Sequence, residues 1–313
     1  MPSRLLIVTA DDFGLCAAVS DAVVAAHDAG IVTSASLLAT CEGFATAARL
    51  ARTRPGLDIG VHVVLAWGRP LSPPREIPSL VRADGGFLPR SELLRRAFAG
   101  RIRIEEAALE IGRQIARVLE AGLRPVHING DRHVHTYPGL REVFVELART
   151  HGLASRVPGD RIVWCHRRGD PIRPLRLGRI LARRLFGRHL AAAYRRLCLR
   201  AGVPVNAVFL NPTSVLPAAR LGLEAYRALF ARPWQGAAEL MTHPASCDDT
   251  VRAFWDGDPA ACREREDELR CLLSPAFRDL LEEAGVRPVG HRALRDAVAQ
   301  PPSAPDSLVT RRA

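Results

Sequence analysis

The sequence predicts an α/β fold built on a parallel sheet. Two observations carry that expectation. Short apolar runs of strand character alternate with amphipathic runs of helical period. Polar groups capable of chemistry recur where the apolar runs end, the edge at which parallel sheets place their sites. At 313 residues the chain is long enough to bury a large core. A barrel of alternating strands and helices of this length forms one domain, expected over residues 1–299.

The elements follow in order. Leu5-Leu6-Ile7-Val8 opens a buried strand, and Ala17 to His27 carries apolar residues at helical spacing before Gly30. Ile31 to Leu38 is strand-like, Phe44 to Arg52 helical and Leu57 to Leu65 strand-like. Residues 66–90, rich in Pro and Gly, have the composition of a loop over one face. Ile104 to Glu120 is a helix with Leu109, Ile111, Ile115, Val118 and Leu119 on its apolar side. Pro125 to Ile128 is the next strand, and Pro138 suits the first turn of a helix over Leu140 to Thr150. Ala238 to Thr242 supplies a late strand, and helices at Ala260–Leu273 and Pro275–Glu283 close the body. The Pro/Ser-rich tail, residues 300–313, is expected to be disordered.

Hydrophobic residues at 48% and charged residues at 25% exclude a disordered or fibrous class. No run approaches the roughly 18 apolar residues of a membrane span. The chain enters its first strand without a charged leader and cleavage site, so a cytoplasmic setting is expected. The seven cysteines are odd in number, scattered and without a C-x-x-C pair, which reads as reduced thiols filling the core.

The formal charge is +11, and all 44 basic residues are arginine, a bias that a G+C-rich genome would also produce. Twelve of them stand against one acid, Asp170, in residues 161–200. There Leu177, Leu181 and Leu185 recur at every fourth position, so 161–204 reads as a basic helical insertion. Such a segment suits a peripheral contact with the inner face of a membrane or with a glycolipid. No recognition motif or aromatic stripe accompanies the arginines, so nucleic acid is not an expected partner.

Four motifs carry chemistry. Thr9-Ala10-Asp11-Asp12-Phe13-Gly14 puts adjacent carboxylates at a strand end, where one can bind a cation while the other faces a water as base, although such a pair could equally cap the next helix. His62, alone in the apolar Gly60-Val61-His62-Val63-Val64-Leu65, needs partners for both ring nitrogens; a cation and an acceptor behind it are one solution, a satisfied core histidine the other. In an extended chain His127, Asn129, Asp131, His133 and His135 would share one face, a costly placement unless they serve a site or stand in an exposed loop. His243 leaves the late strand in Thr242-His243-Pro244-Ala245.

In order and spacing over about residues 4–298, these motifs resemble the YdjC-like carbohydrate deacetylases. The resemblance implies a distorted (β/α) barrel of parallel strands, here with an Arg-rich helical insertion, and metal-dependent hydrolysis of an N-acetyl group on a sugar. It implies Asp11 as the base that activates the hydrolytic water and Asp12 and His62 as ligands of one divalent cation, zinc, magnesium or manganese. The third ligand, a histidine in the family, falls on Asp131, and the aspartate that many members carry two residues earlier is Asn129. His243 is then assigned to protonate the leaving amine, with Asn129, His133, His135 and Arg156 as supporting or substrate-binding groups and Arg156 in contact with the sugar. The Arg-rich helical stretch and Ala201-Gly202-Val203-Pro204-Val205-Asn206 are similar to the hopanoid-biosynthesis branch, implying a glycolipid substrate. The rival expectation is a non-catalytic sugar- or lipid-binding barrel with a degenerate metal site.

Overall fold

A computed structural model describes residues 4–159, 163–164, 174–212, 215–216, 222–255 and 258–299. The strands are β1 (Arg4–Phe13), β2 (Ser34–Leu37), β3 (Asp58–Val63), β4 (His127–Gly130), β5 (Ala154–Ser155), β6 (Val163–Trp164), β7 (Val208–Leu210), β8 (Val215–Leu216), β9 (Ala237–Thr242) and β10 (Val286–Pro288). The α-helices are α1 (Ala17–Asp28), α2 (Phe44–Arg52), α3 (Arg90–Phe98), α4 (Ile104–Glu120), α5 (Leu140–Thr150), α6 (Pro174–Arg200), α7 (Leu223–Phe230), α8 (Asp249–Phe254), α9 (Pro259–Leu273), α10 (Pro275–Glu283) and α11 (Arg292–Ala299).

Eight strands form one sheet in the order β5-β4-β3-β2-β1-β9-β7, with β10 beside the start of β1, and every pairing is parallel. The sheet curls into a half-barrel surrounded by helices, the distorted barrel expected from the sequence. Leu6, Ile7 and Val8 of β1 are fully buried, because a parallel sheet covered on both faces takes a continuous apolar strand. Gly30, at φ 82°, ends α1 in the left-handed region that glycine adopts without strain.

Helix α4 departs from its expected apolar face. Ile111, Ile115 and Val118 are buried, but Leu109 and Leu119 are exposed. In their place Glu106, Glu110 and Gln114, spaced every four residues, point inward and hold the 66–90 loop and the end of β3. Glu106 accepts from Ser79 N–H (2.7 Å), and Glu110 from Leu71 and Ser72 N–H (3.1 and 2.8 Å). The Gln114 amide binds both N–H and C=O of Val64 (3.0 and 2.8 Å). Carboxylates are buried here because the loop has backbone donors and no ladder to satisfy them.

The cysteine expectation is corrected at one pair: Cys247 and Cys262 form a disulfide with Cα atoms 5.6 Å apart, a juxtaposition made by folding α9 against the end of β9. Cys16, Cys41, Cys198 and Cys271 are free thiols. Helix α6 confirms a helix in the basic segment, but its core stripe is Leu190, Ala191, Tyr194 and Cys198, while Leu185 and Phe186 lie exposed. The remainder of 161–204 falls partly, and the tail 300–313 wholly, outside the described residues. Among the described residues no helix is long and apolar enough to cross a membrane.

Candidate active site

Parallel strands end on one edge, so their C-terminal residues meet. Asp11 and Asp12 close β1, His62 is the penultimate residue of β3, and Asp131, Arg156 and His243 directly follow β4, β5 and β9. Together Asp11, Asp12, His62, Asp131, His133 and His243 line a cavity of about 290 Å³, which Arg90, Arg132, Arg183, Phe254 and Trp255 also reach.

One donor atom each from Asp12, His62 and Asp131 lies within 4.8 Å of the others, and His62 Nε2 is 3.6 Å from Asp12 Oδ1. Two carboxylates and an imidazole facing one cavity form a donor set suited to a divalent cation, so the residues fit the group. Burial works against charge on His62, but Asp11 and Asp12 overcome it and push the metal-free imidazole up to about 9. Burial raises the Asp131 carboxyl above its usual range.

His62 Nδ1 is 2.6 Å from the Asn129 amide, which can face it either way. With its nitrogen toward Nδ1, the Asn129 oxygen accepts from Ser36 Oγ (2.9 Å) and from both Arg156 Nη atoms (3.0 Å each). With its oxygen toward Nδ1, an Nδ1–H donates to it and the Nε2 lone pair is left for a cation, at the cost of turning the amide nitrogen toward Arg156.

Asp11 belongs to a second, drier layer. Arg156 donates from Nη1 to Asp11 Oδ2 (2.5 Å), from Nη2 to Asp11 Oδ1 (2.9 Å) and from Nε to Glu239 Oε1 (2.9 Å). Burial would raise Asp11, yet the guanidinium and the nearby His62 hold it well below the usual carboxylate range. Burial likewise works against Glu239, which Arg156 also keeps low. The expected contact of Arg156 with the sugar is not found: its side chain is 0% exposed and committed to these two carboxylates. Burial, with Arg265 nearby, holds His243 down to about 4, and its backbone N–H donates to Glu268 (2.7 Å).

The one-face reading of residues 127–135 holds only to the end of β4. Beyond Gly130 the chain turns through Asp131–Thr136, with Arg132 (φ 49°) and His133 (φ 61°) in the left-handed region. His133 reaches the cavity; His135 folds back, accepting from Gly130 N–H (2.9 Å) and donating from Nε2 to Arg156 C=O (3.0 Å). His127 shares the Asn129 face but lies deeper, its Nε2 3.2 Å from the same Ser36 Oγ, and it stacks on His291, ring centroids 3.7 Å apart, over Gly60, where any side chain would collide with the ring. Sequence reasoning missed Glu239, although a lone carboxylate in the apolar run Ala237–Thr242 is a readable signal. Trp67, Arg90, Arg183, Phe254 and Trp255 carried none.

The model of the family described as YdjC-like protein matches residues 5–283. The chain belongs to the YdjC-like family. It is 32% identical over 290 residues to a carbohydrate deacetylase of Geobacillus stearothermophilus, covering 92% of this chain and 97% of that one. It is 30% identical over 285 residues to a chitooligosaccharide deacetylase of Escherichia fergusonii, covering 91% and 96%. A crystallised Enterococcus faecalis protein, named for a proposed cellobiose-phosphate cleavage, superimposes with a TM-score of 0.73 at 26% identity, covering 93% of this YdjC-like chain and 99% of its own.

Proposed function

We infer that this protein removes the N-acetyl group from an amino sugar of the N-acetylglucosamine type by metal-dependent hydrolysis. The carrying observation is the single cavity that joins the cluster Asp12, His62 and Asp131 to Asp11 and His243. Relatives aligned along nearly their whole length are named carbohydrate and chitooligosaccharide deacetylases, which supports the substrate class. A divalent cation, zinc, magnesium or manganese, held by Asp12, His62 and Asp131 would supply Lewis acidity toward the attacking water and the acetyl carbonyl. Asp11, ionised throughout the neutral range, accepts the proton from that water; held low by Arg156, it is a weak base that gives the proton up readily. His243 is neutral at pH 7, so the proton it delivers to the departing amine is one it must first take up during the reaction. Metal analysis of the purified protein, combined with acetate release from a panel of N-acetylglucosaminyl compounds, tests the reading. Failure of the metal-loaded protein to release acetate from every compound would refute it.

The finer part of the inference is a lipid-linked sugar, an N-acetylglucosaminyl polyol on a hopanoid tail, met at the inner face of a membrane. Phe98 of α3 and Phe186 of α6 are 52% and 46% exposed with ring centroids 5.8 Å apart, and Leu185 beside them is 62% exposed. Arg183, one turn away, lines the catalytic cavity. An apolar patch with basic neighbours at the mouth of a site suits an anionic bilayer surface. Leu185→Ser with Phe186→Ser should weaken sedimentation with phosphatidylglycerol vesicles and slow hydrolysis of a glycolipid, leaving a soluble N-acetyl sugar unaffected. Equal slowing of both substrates would remove the lipid from the account.

A further inference from the structure

The carboxylate that stands third in the cluster has a partner no motif announces. Trp67 follows β3 by four residues, and its indole Nε1–H donates to Asp131 Oδ2 at 2.6 Å. Arg132 Nε lies 3.6 Å from the same oxygen. Both neighbours crowd Oδ2. An aspartate otherwise turns about its last torsion and can offer a cation one oxygen or two.

We propose that Trp67 is the positioning residue for Asp131: its N–H occupies Oδ2 and restricts the carboxylate to binding a divalent cation through Oδ1 alone. This rests on the metal-dependent reading of the site. A histidine presents one nitrogen to a cation; an aspartate tied at one oxygen becomes a one-atom donor of the same kind while keeping its negative charge. Trp67 is itself fixed. Its ring meets Phe254 of α8 edge-on, centroids 4.9 Å apart and planes at 72°, and the strand end before it is held by Gln114. The indole therefore links the 66–90 loop, the α8 wall of the cavity and the ligand cluster.

The experiment uses the full chain, stripped with a chelator and titrated with Mn²⁺ by calorimetry, with Co²⁺ absorption spectra recorded in parallel. Trp67→Phe keeps the ring contact and removes the N–H; it should weaken Mn²⁺ binding 10- to 100-fold, the range for groups that orient a ligand. Its Co²⁺ visible bands should lose intensity, because an aspartate free to use both oxygens raises the coordination number. Phe254→Ala keeps the N–H but loosens the ring that carries it, and should weaken Mn²⁺ binding by less than Trp67→Phe does. Unchanged Mn²⁺ affinity in Trp67→Phe, or a loss in Phe254→Ala as large as that in Trp67→Phe, overturns the proposal while leaving the metal site standing. A wild-type protein that binds neither cation overturns the reading of the site and this proposal with it.

Discussion

Arg156 and Asp11 are joined by two parallel hydrogen bonds of 2.5 and 2.9 Å, with side chains 0% and 2% exposed. The same guanidinium serves Glu239, so two buried carboxylates share one cation. Arg156→Leu would strand both, and breaking a buried pair from one side costs about 3–5 kcal/mol. Urea unfolding should register a loss of that order. A loss within about 0.5 kcal/mol would mean that water reaches the pair.

Asp11 and Asp12 are neighbours with separate duties in the proposed reaction. Asp12→Ala and His62→Ala should emerge without metal, whereas Asp11→Asn should retain it and lose about 10²- to 10⁴-fold in turnover, the range for a lost proton acceptor. Metal content by mass spectrometry separates the three. Equal depletion in all of them would place Asp11 among the ligands.

Asp131→Ala should lose metal affinity, and Asp131→His should stay active with a changed order of preference among zinc, manganese and magnesium, since imidazole is a softer donor than carboxylate. Titration with each cation checks both. Normal binding by Asp131→Ala would move the third ligand to His133, which also reaches the cavity.

Four histidines, His127 and His135 buried and His133 and His243 half-buried, make the fold sensitive to mild acid. His243 is held down to about 4 and His135 to about 3, and burial pushes His127 and His133 well below their ordinary 6.5. Between those values and 6.5 the unfolded chain binds more protons than the folded one, so stability falls as pH drops through that window. His62 acts in the opposite sense in metal-free protein: its contribution is present below 6.5 and is lost as pH rises through about 9. The metal-free melting temperature should therefore peak near neutrality and fall toward pH 4.5. A melting temperature that rises from pH 6.5 to pH 4.5 would contradict this.

Asp11, Asp12, His62 and His243 were legible because each interrupts or ends an apolar run, and in a parallel sheet those ends converge. The reading failed where the chain leaves the sheet. Parity along 127–135 assumes an extended backbone, and the left-handed turn at Arg132 and His133 ends it, sending His135 beneath Arg156. The helix over Ile104–Glu120 also misled at Leu109 and Leu119, which are exposed: Glu106, Glu110 and Gln114 turn inward instead, and their partners are backbone groups of the loop and strand end before the helix. Trp67 and Phe254 are 187 residues apart, and only the curl of the sheet brings them together. Cys247 and Cys262 pair because α9 folds back against the end of β9, which scattered spacing does not announce.

Asp12, Arg132 and His133 are the non-glycine residues with positive φ among the described residues, and all three border the cavity. Side chains in that conformation store roughly 1–3 kcal/mol each. Arg132, at the surface, is where relief is easiest: glycine there would raise the melting temperature while loosening the turn that follows Asp131. Directed evolution for heat tolerance alone would find that exchange early and select against catalysis without touching a ligand. Libraries that hold position 132 constant would keep durability and turnover from being traded against each other.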